Sequence, residues 1–355
     1  MRREDLAERV ELRLPVEGRS FAGMDLEGIA LDNAMLVNCD FSGARFRSAL
    51  LKRCQLVQCR LDGADFSEAR LDMVQAPRAS LAAASFAGAT LLRCQFAEAN
   101  LTRADFSGAE LDDTSFTLVD LSGARFNGAR LKTVALLECR LAETDLSRAT
   151  VRGLTLVKGD LRSAVLDGID IDTIFAMEAD ISGRDLRGLR LTRANLMKSR
   201  LAGCNLSGVD LNQSLFMEAD LSGADLTGAR LGMALMIGAN LTAAKLSGAE
   251  LTSANFTDAR LGGADLSEAR LSYALFERAD CAAARFDGAR LDYAQLPYAR
   301  LDGASFMGVR FHQTNLHAVS TEGTIFQHAT GSTLPTDPQR VVADLYDPAR
   351  VAAAI

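Results

Sequence analysis

The side chains in this sequence best suited to metal, redox or nucleophilic chemistry are seven cysteines and three histidines. Thiolates and imidazoles hold a metal only when they converge, and thiols cross-link only when they meet. Cys39, Cys54, Cys59, Cys94, Cys139, Cys204 and Cys281 include no Cys-x-x-Cys pair, and only Cys39 and Cys59 stand twenty residues apart. His312, His317 and His328 project from three different sides of the repeating coil, so they do not share a metal. No glycine loop lies between a strand and a helix where it could cradle a phosphate. The expectation is a chain with no catalytic residues, no cofactor and no metal, whose cysteines are reduced and serve as small apolar side chains.

The elements that position these residues follow from one periodicity. From Phe21 to Phe326 a large apolar residue returns at every fifth position through 62 sites, and only Ala76, Ala176, Cys281 and Thr321 depart from that type. Two residues before each site i, at i−2, a small residue recurs, as in Ala64 before Phe66 and Ala264 before Leu266. A helix would spread such sites around its whole circumference. In an extended segment i−2 and i face one way and i−1 the other, so i+1 and i+2 must form a corner. Glycine, which tolerates positive φ, marks the i+2 corner after two consecutive sides in every four: Gly23, Gly43 and Gly63 after the first, Gly88, Gly108 and Gly128 after the second. Twenty residues therefore make one four-sided coil. Six cysteines sit at i−2 and Cys281 at i, all inside the core.

Ala64-Asp65-Phe66-Ser67-Glu68, Ala224-Asp225-Leu226-Thr227-Gly228 and Ala264-Asp265-Leu266-Ser267-Glu268 resemble the A(D/N)LXX unit of pentapeptide-repeat proteins. The resemblance implies an all-β fold, a right-handed quadrilateral parallel β-helix (solenoid), with i and i−2 inside. About fifteen coils spaced ~4.8 Å apart would make a rod roughly 70 Å long.

A solenoid grows by stacking, so one elongated domain is expected. Residues 1–20 form an amino-terminal cap, with Leu6 and Val10 on a helical face and Val10, Leu12 and Leu14 alternating as a strand; residues 21–328 form the β-helix; residues 329–355 form a tail. In that tail Asp337-Pro338 opens a helix, and Asp347-Pro348 starts a second. The start is charged and no apolar run reaches spanning length, which points to a cytoplasmic protein with no membrane span. Arg184, in an alanine column, must tilt out or meet a carboxylate such as Asp185 or Asp180. Segment 150–190 is the least regular.

Function is read from the outward residues. Family members imply three roles: protein binding, protection of type II topoisomerase such as gyrase by imitating DNA, and service as accessory or effector proteins of bacterial secretion systems. Imitating DNA needs a sustained acidic face. Here the second-side i−1 column runs Asp25, Arg45, Asp65, Ser85, Asp105, Arg125 and Asp145, so acid and base interrupt one another, and a net charge of −7 disfavours nucleic acid as a partner. The fourth side differs, because its 15 i−1 sites from Met35 to Asn315 carry no charge, whereas 11 of 16 on the first side do. Val157, Phe175, Met177, Met197, Leu215, Met217, Leu235 and Ile237 make its outward surface apolar; such a patch is tolerated β-forming surface, is covered by the protein's own tails or, as is ordinary for a patch of this size, has a partner. The reading is a non-catalytic interaction scaffold that binds a protein partner, or a second copy of itself, through these residues.

Overall fold

Cross-coil pairing in the computed structural model, which describes residues 2–344, steps by twenty residues. Leu36 faces Leu56, Leu131 faces Val151 and Arg290 faces Arg310, each in parallel register. The five-residue unit and the four-sided coil of a parallel β-solenoid follow directly.

Backbone hydrogen bonding explains the unit. The N–H of Phe41, a site i, donates to the Arg60 carbonyl on the next coil at 2.6 Å, the i−1 N–H of Arg45 donates back to Met24 at 2.9 Å, and the i+2 N–H of Gly43 donates to Asp62 at 2.9 Å. Where the corner is tight, the i−2 N–H closes it, as Ala44 does to Phe41 at 3.0 Å. At such corners the i+1 N–H is left over, and the aspartate or asparagine at i−1 takes it: Asp65 accepts from Ser67 at 2.9 Å and Asn205 from Ser207 at 3.2 Å. This Asx turn is the physical reason for Asp or Asn in the unit.

The chain packs as two compact units, Met1–Ile181 with Leu189–Ser199, and Ser182–Gly188 with Arg200–Ile355. In the first, corners that follow the third side make no turn closed by the i−2 N–H where i−2 is Cys54, Val74, Cys94, Thr114, Val134 or Leu154, nor at Ala34, and the strands Arg130–Leu137 and Thr150–Val157 run through the corners at Val134 and Leu154. In the second, Ala234, Ala254, Ala274 and Ala294 occupy the equivalent position, and each closes a 3.0 or 3.1 Å turn. β-branched and larger side chains favour extended backbone and need more interior room than alanine. Positive φ is not confined to the glycine corners, since Arg53 and Gln58 adopt it too. Cross-coil bonds such as Arg53 N–H to Asp72 at 2.7 Å hold these residues there.

Every site i from Phe21 to Phe311 is buried except Leu166, which is half-buried; at the carboxyl end Leu316 is half-buried and Thr321 and Phe326 are exposed. Phe46, Phe66, Phe86, Phe106 and Phe126 stack with ring centroids 4.7 to 5.0 Å apart. All seven cysteines are free and buried. Those at i−2 from Cys39 to Cys139 donate to the i carbonyl 23 residues back, as Cys54 does to Leu31 at 3.4 Å and Cys139 to Phe116 at 3.3 Å, joined by Thr144 to Leu121 at 3.1 Å. That carbonyl has a spare lone pair, so small polar groups fit the core without an unsatisfied donor. At Gly159 an added Cβ would collide with the Leu156 side chain, which would have to shift to admit one.

The amino-terminal segment differs from expectation. Helix Arg3–Glu11 buries Leu6 and Val10 and takes in the first residue of the proposed strand, Leu12 and Leu14 are exposed, and pairing begins instead at Val16, opposite Leu36. Asp5 accepts the Arg2 N–H at 2.8 Å and caps that helix. Pairing continues through Thr330–Leu334, where Gly331 lies so close to the Phe311 carbonyl that a Cβ would collide with it. Helix Pro338–Asp344 follows, with Asp337 accepting the Gln339 N–H at 2.9 Å. The helix expected at Asp347-Pro348 lies outside the described residues.

Candidate protein-binding surface

In the first unit Val157 and Met177 are cross-coil neighbours, Thr155 faces Phe175, and Glu178 N–H donates to the Met197 carbonyl at 3.1 Å. Strand Ile174–Met177 fixes the direction of each side chain: Ile174 and Ala176 are buried, while Phe175 is 45% and Met177 37% exposed. In the second unit Leu215 faces Leu235, and Glu218 N–H donates to the Ile237 carbonyl at 2.9 Å. Leu215, Met217, Leu235 and Ile237 are half-buried there, as Val157 and Met197 are in the first unit. None of the eight residues points into the core.

Leu215 and Leu235 occupy i−1 positions of tight turns. Farther along the same side Asn255 accepts the Thr257 N–H at 2.9 Å and Asn315 the His317 N–H at 3.0 Å, which no leucine can do. Apolar surface is present here in place of a favourable turn hydrogen bond. The periodicity did not single out Leu275, 38% exposed on this side, because its neighbours Asn255 and Gln295 are polar. In the first unit a groove of about 510 Å³ runs beside the fourth side, lined by Gln75, Gln95, Ser115 and Thr155, with Arg93 and Asp113 as its charged rim.

Elsewhere many outward charges neutralise one another. Arg45 meets Asp25 at 2.8 Å, Arg60 meets Asp40 at 2.8 Å and Arg230 meets Asp210 at 2.8 Å, all between adjacent coils. Hydrogen bonds from Arg60 and Ser42 hold the Asp40 carboxyl far below the ordinary carboxylate range. Asp185, one carboxylate expected near half-buried Arg184, is engaged by Arg187 at 2.6 Å.

His317 does not project outward. It is buried, its Nδ1 accepts the Asp337 N–H at 3.2 Å, and its Nε2 lies 3.2 Å from the Tyr298 hydroxyl. With Nδ1 accepting, the proton sits on Nε2 and donates to tyrosine, so this imidazole anchors the segment before the last helix. Among the described residues no group of three or more His, Cys, Asp or Glu side chains is placed to hold a metal.

Residues 20–53, 39–74, 177–213, 194–232, 234–272, 264–297 and 284–320 match the family of pentapeptide repeats, and residues 89–166 match its pentapeptide repeat region. The chain belongs to the pentapeptide-repeat family. Similar solved structures of the family include HetL from the cyanobacterium Nostoc sp. strain PCC 7120, involved in heterocyst differentiation regulation, at 30% identity, TM-score 0.26, covering 69% of this chain and 87% of that one. A thylakoid-lumen member from Arabidopsis thaliana has 32% identity and TM-score 0.24, covering 36% and 77% of the two chains. A trypsin-treated form of QnrB1, a plasmid-mediated fluoroquinolone resistance protein, has 23% identity and TM-score 0.37, covering 45% and 90%. A sequence search of curated proteins gives no match.

Proposed function

We propose that this pentapeptide-repeat protein is a non-catalytic scaffold that binds a protein partner, or a second copy of itself, through its fourth side. The observation that carries the reading is that each unit turns apolar residues outward at positions whose i−1 column has no charge, Phe175 and Met177 in the first and Leu215 and Leu235 in the second. Exposed methionines adapt to a partner's contours. Seven free cysteines fit a reducing compartment such as the cytoplasm, and no described helix is long and apolar enough to cross a membrane. The test compares wild type with Met177→Glu/Met197→Glu/Met217→Glu for association by light scattering and for partner capture from the native host. Loss of association with an unchanged fold supports the proposal, and unchanged association refutes it.

A topoisomerase-directed DNA mimic receives less support, because Asp25, Asp40 and Asp105 are each paired with an arginine of the adjacent coil. The mimic reading requires inhibition of gyrase supercoiling that is lost on replacing Asp65, Asp105 and Asp145; the scaffold reading expects none.

A further inference from the structure

Across adjacent coils, charged outward residues of opposite sign face each other almost throughout, as in Asp210, Arg230, Glu250 and Arg270 on the third side of the second unit. The next two positions break the rule. Arg270 faces Arg290 and Arg290 faces Arg310, the one run of three like charges among the described cross-coil pairs. Like charges directly opposite one another destabilise a sheet. The other outward i−1 pair of like sign, Asp160 and Asp180, is relieved by Arg162, which lies 2.7 Å from one and 3.4 Å from the other.

In the arginine run such relief reaches the two outer members and misses the middle one. Glu250 holds Arg270 at 2.8 Å and Asp292 lies 3.5 Å from Arg310, but no carboxylate lies within 4.0 Å of Arg290 among the described residues, and its side chain is exposed. Strands Arg290–Asp292 and Arg310–Asn315 fix the backbones at the spacing of a parallel ladder, ~4.8 Å. On the opposite edge of the same side Tyr273 and Tyr293 stack with centroids 5.0 Å apart, and His312 meets Tyr293 edge-on with its Nε2 3.0 Å from the hydroxyl. The surface therefore offers one unpaired guanidinium fork, that of Arg290, between two that are already paired along one edge, and hydroxyl, imidazole and ring edges along the other.

We propose that Arg270, Arg290 and Arg310 form a docking surface for a short acidic segment of a protein partner, with Tyr293 and His312 bordering it. Guanidinium forks bind carboxylates in two-point fashion. A long polyanion fits poorly, since the run is three residues long and Asp287, Asp292 and Glu268 flank it, whereas a nucleic acid carries charge continuously. The surface is separate from the apolar fourth side and its test does not depend on that reading.

The experiment is fluorescence anisotropy with a fluorescein-labelled hexaglutamate peptide, using wild type, Arg290→Glu and, as a control with the same charge change elsewhere, Arg140→Glu. The expected result is binding to wild type that weakens at least about tenfold in Arg290→Glu, the loss of one charge-assisted contact, and persists in Arg140→Glu. Because Arg290→Glu restores the alternation, its melting temperature should equal or exceed that of wild type. The proposal is overturned if the peptide fails to bind wild type, if both variants lose binding equally, if a labelled oligothymidylate binds more tightly than hexaglutamate, or if Arg290→Glu melts below wild type.

Discussion

Asp105 accepts the backbone N–H of Ser107 through Oδ1 at 3.0 Å, and its Oδ2 meets Arg125 of the next coil at 2.5 Å. One carboxylate thus closes its own corner and ties two coils together. Burial alone would push the Asp105 carboxyl up, but the Ser107 hydrogen bonds and Arg125 outweigh it and hold it below its ordinary value. Asp105→Ala should cost on the order of 1–2 kcal/mol, while Asp105→Asn keeps the turn and costs less. Chemical denaturation of the two variants checks the order; equal losses would place the whole effect in the ion pair.

Acid stability follows from the same groups. Hydrogen bonds from Arg187 hold Asp185 at about 2, and Asp160 and Asp225 are lowered by Arg162 and Thr227. A depressed carboxyl contributes stability that is fully present above its unfolded value, about 3.9, and is lost as pH falls through its folded value. Melting temperature should therefore be flat from neutrality down to about pH 5 and fall between about pH 4 and 2. A rise on acidification would contradict this account.

At the alkaline end the thiols govern. Burial pushes Cys54 and Cys139 up to about 11 and Cys94 up to about 12. A raised thiol contributes stability that is complete below its unfolded value, about 8.5, and is lost as pH climbs through its folded value. Stability should decline above about pH 8.5, and replacing these three cysteines by alanine should flatten that decline. Thiol reagents should find few reactive groups before denaturation.

The phenylalanine stack has its own signature. Phe86 lies between Phe66 and Phe106 at 5.0 and 4.8 Å. Phe86→Ala should cost about 3–5 kcal/mol, whereas Phe86→Leu should cost under about 1.5, because Leu146, Leu206 and Leu226 fill the same column in other coils. Calorimetry on both variants separates stacking from simple filling of the core.

The coil and its contents were legible because a five-residue period is repeated so often that each column is read many times over. Single residues outside the repeat were not so constrained. Val10, Leu12 and Leu14 alternate like a strand, yet the helix from Arg3 to Glu11 wins because it buries Leu6 and Val10 together. His317 reads as outward by count, but the segment before the last helix folds over it. Apart from Ala34, which also stands at an open corner, the difference between open and closed corners was written in Cys54, Val74 and Thr114 against Ala234 and Ala254, a signal of side-chain volume rather than of glycine. The fourth-side surface was visible as missing charge, since outward orientation follows from the same register.

The central claim is that the fourth side binds protein, and the measurement that tests it most directly is association of Met177→Glu/Met197→Glu/Met217→Glu against wild type. Met177 is exposed, and Met197 and Met217 are half-buried outward neighbours of buried core sites. The variant should keep the circular-dichroism spectrum and cooperative melting of wild type while losing partner capture, or shifting a dimer to monomer in light scattering. A folded variant that retains every association of wild type would contradict the account.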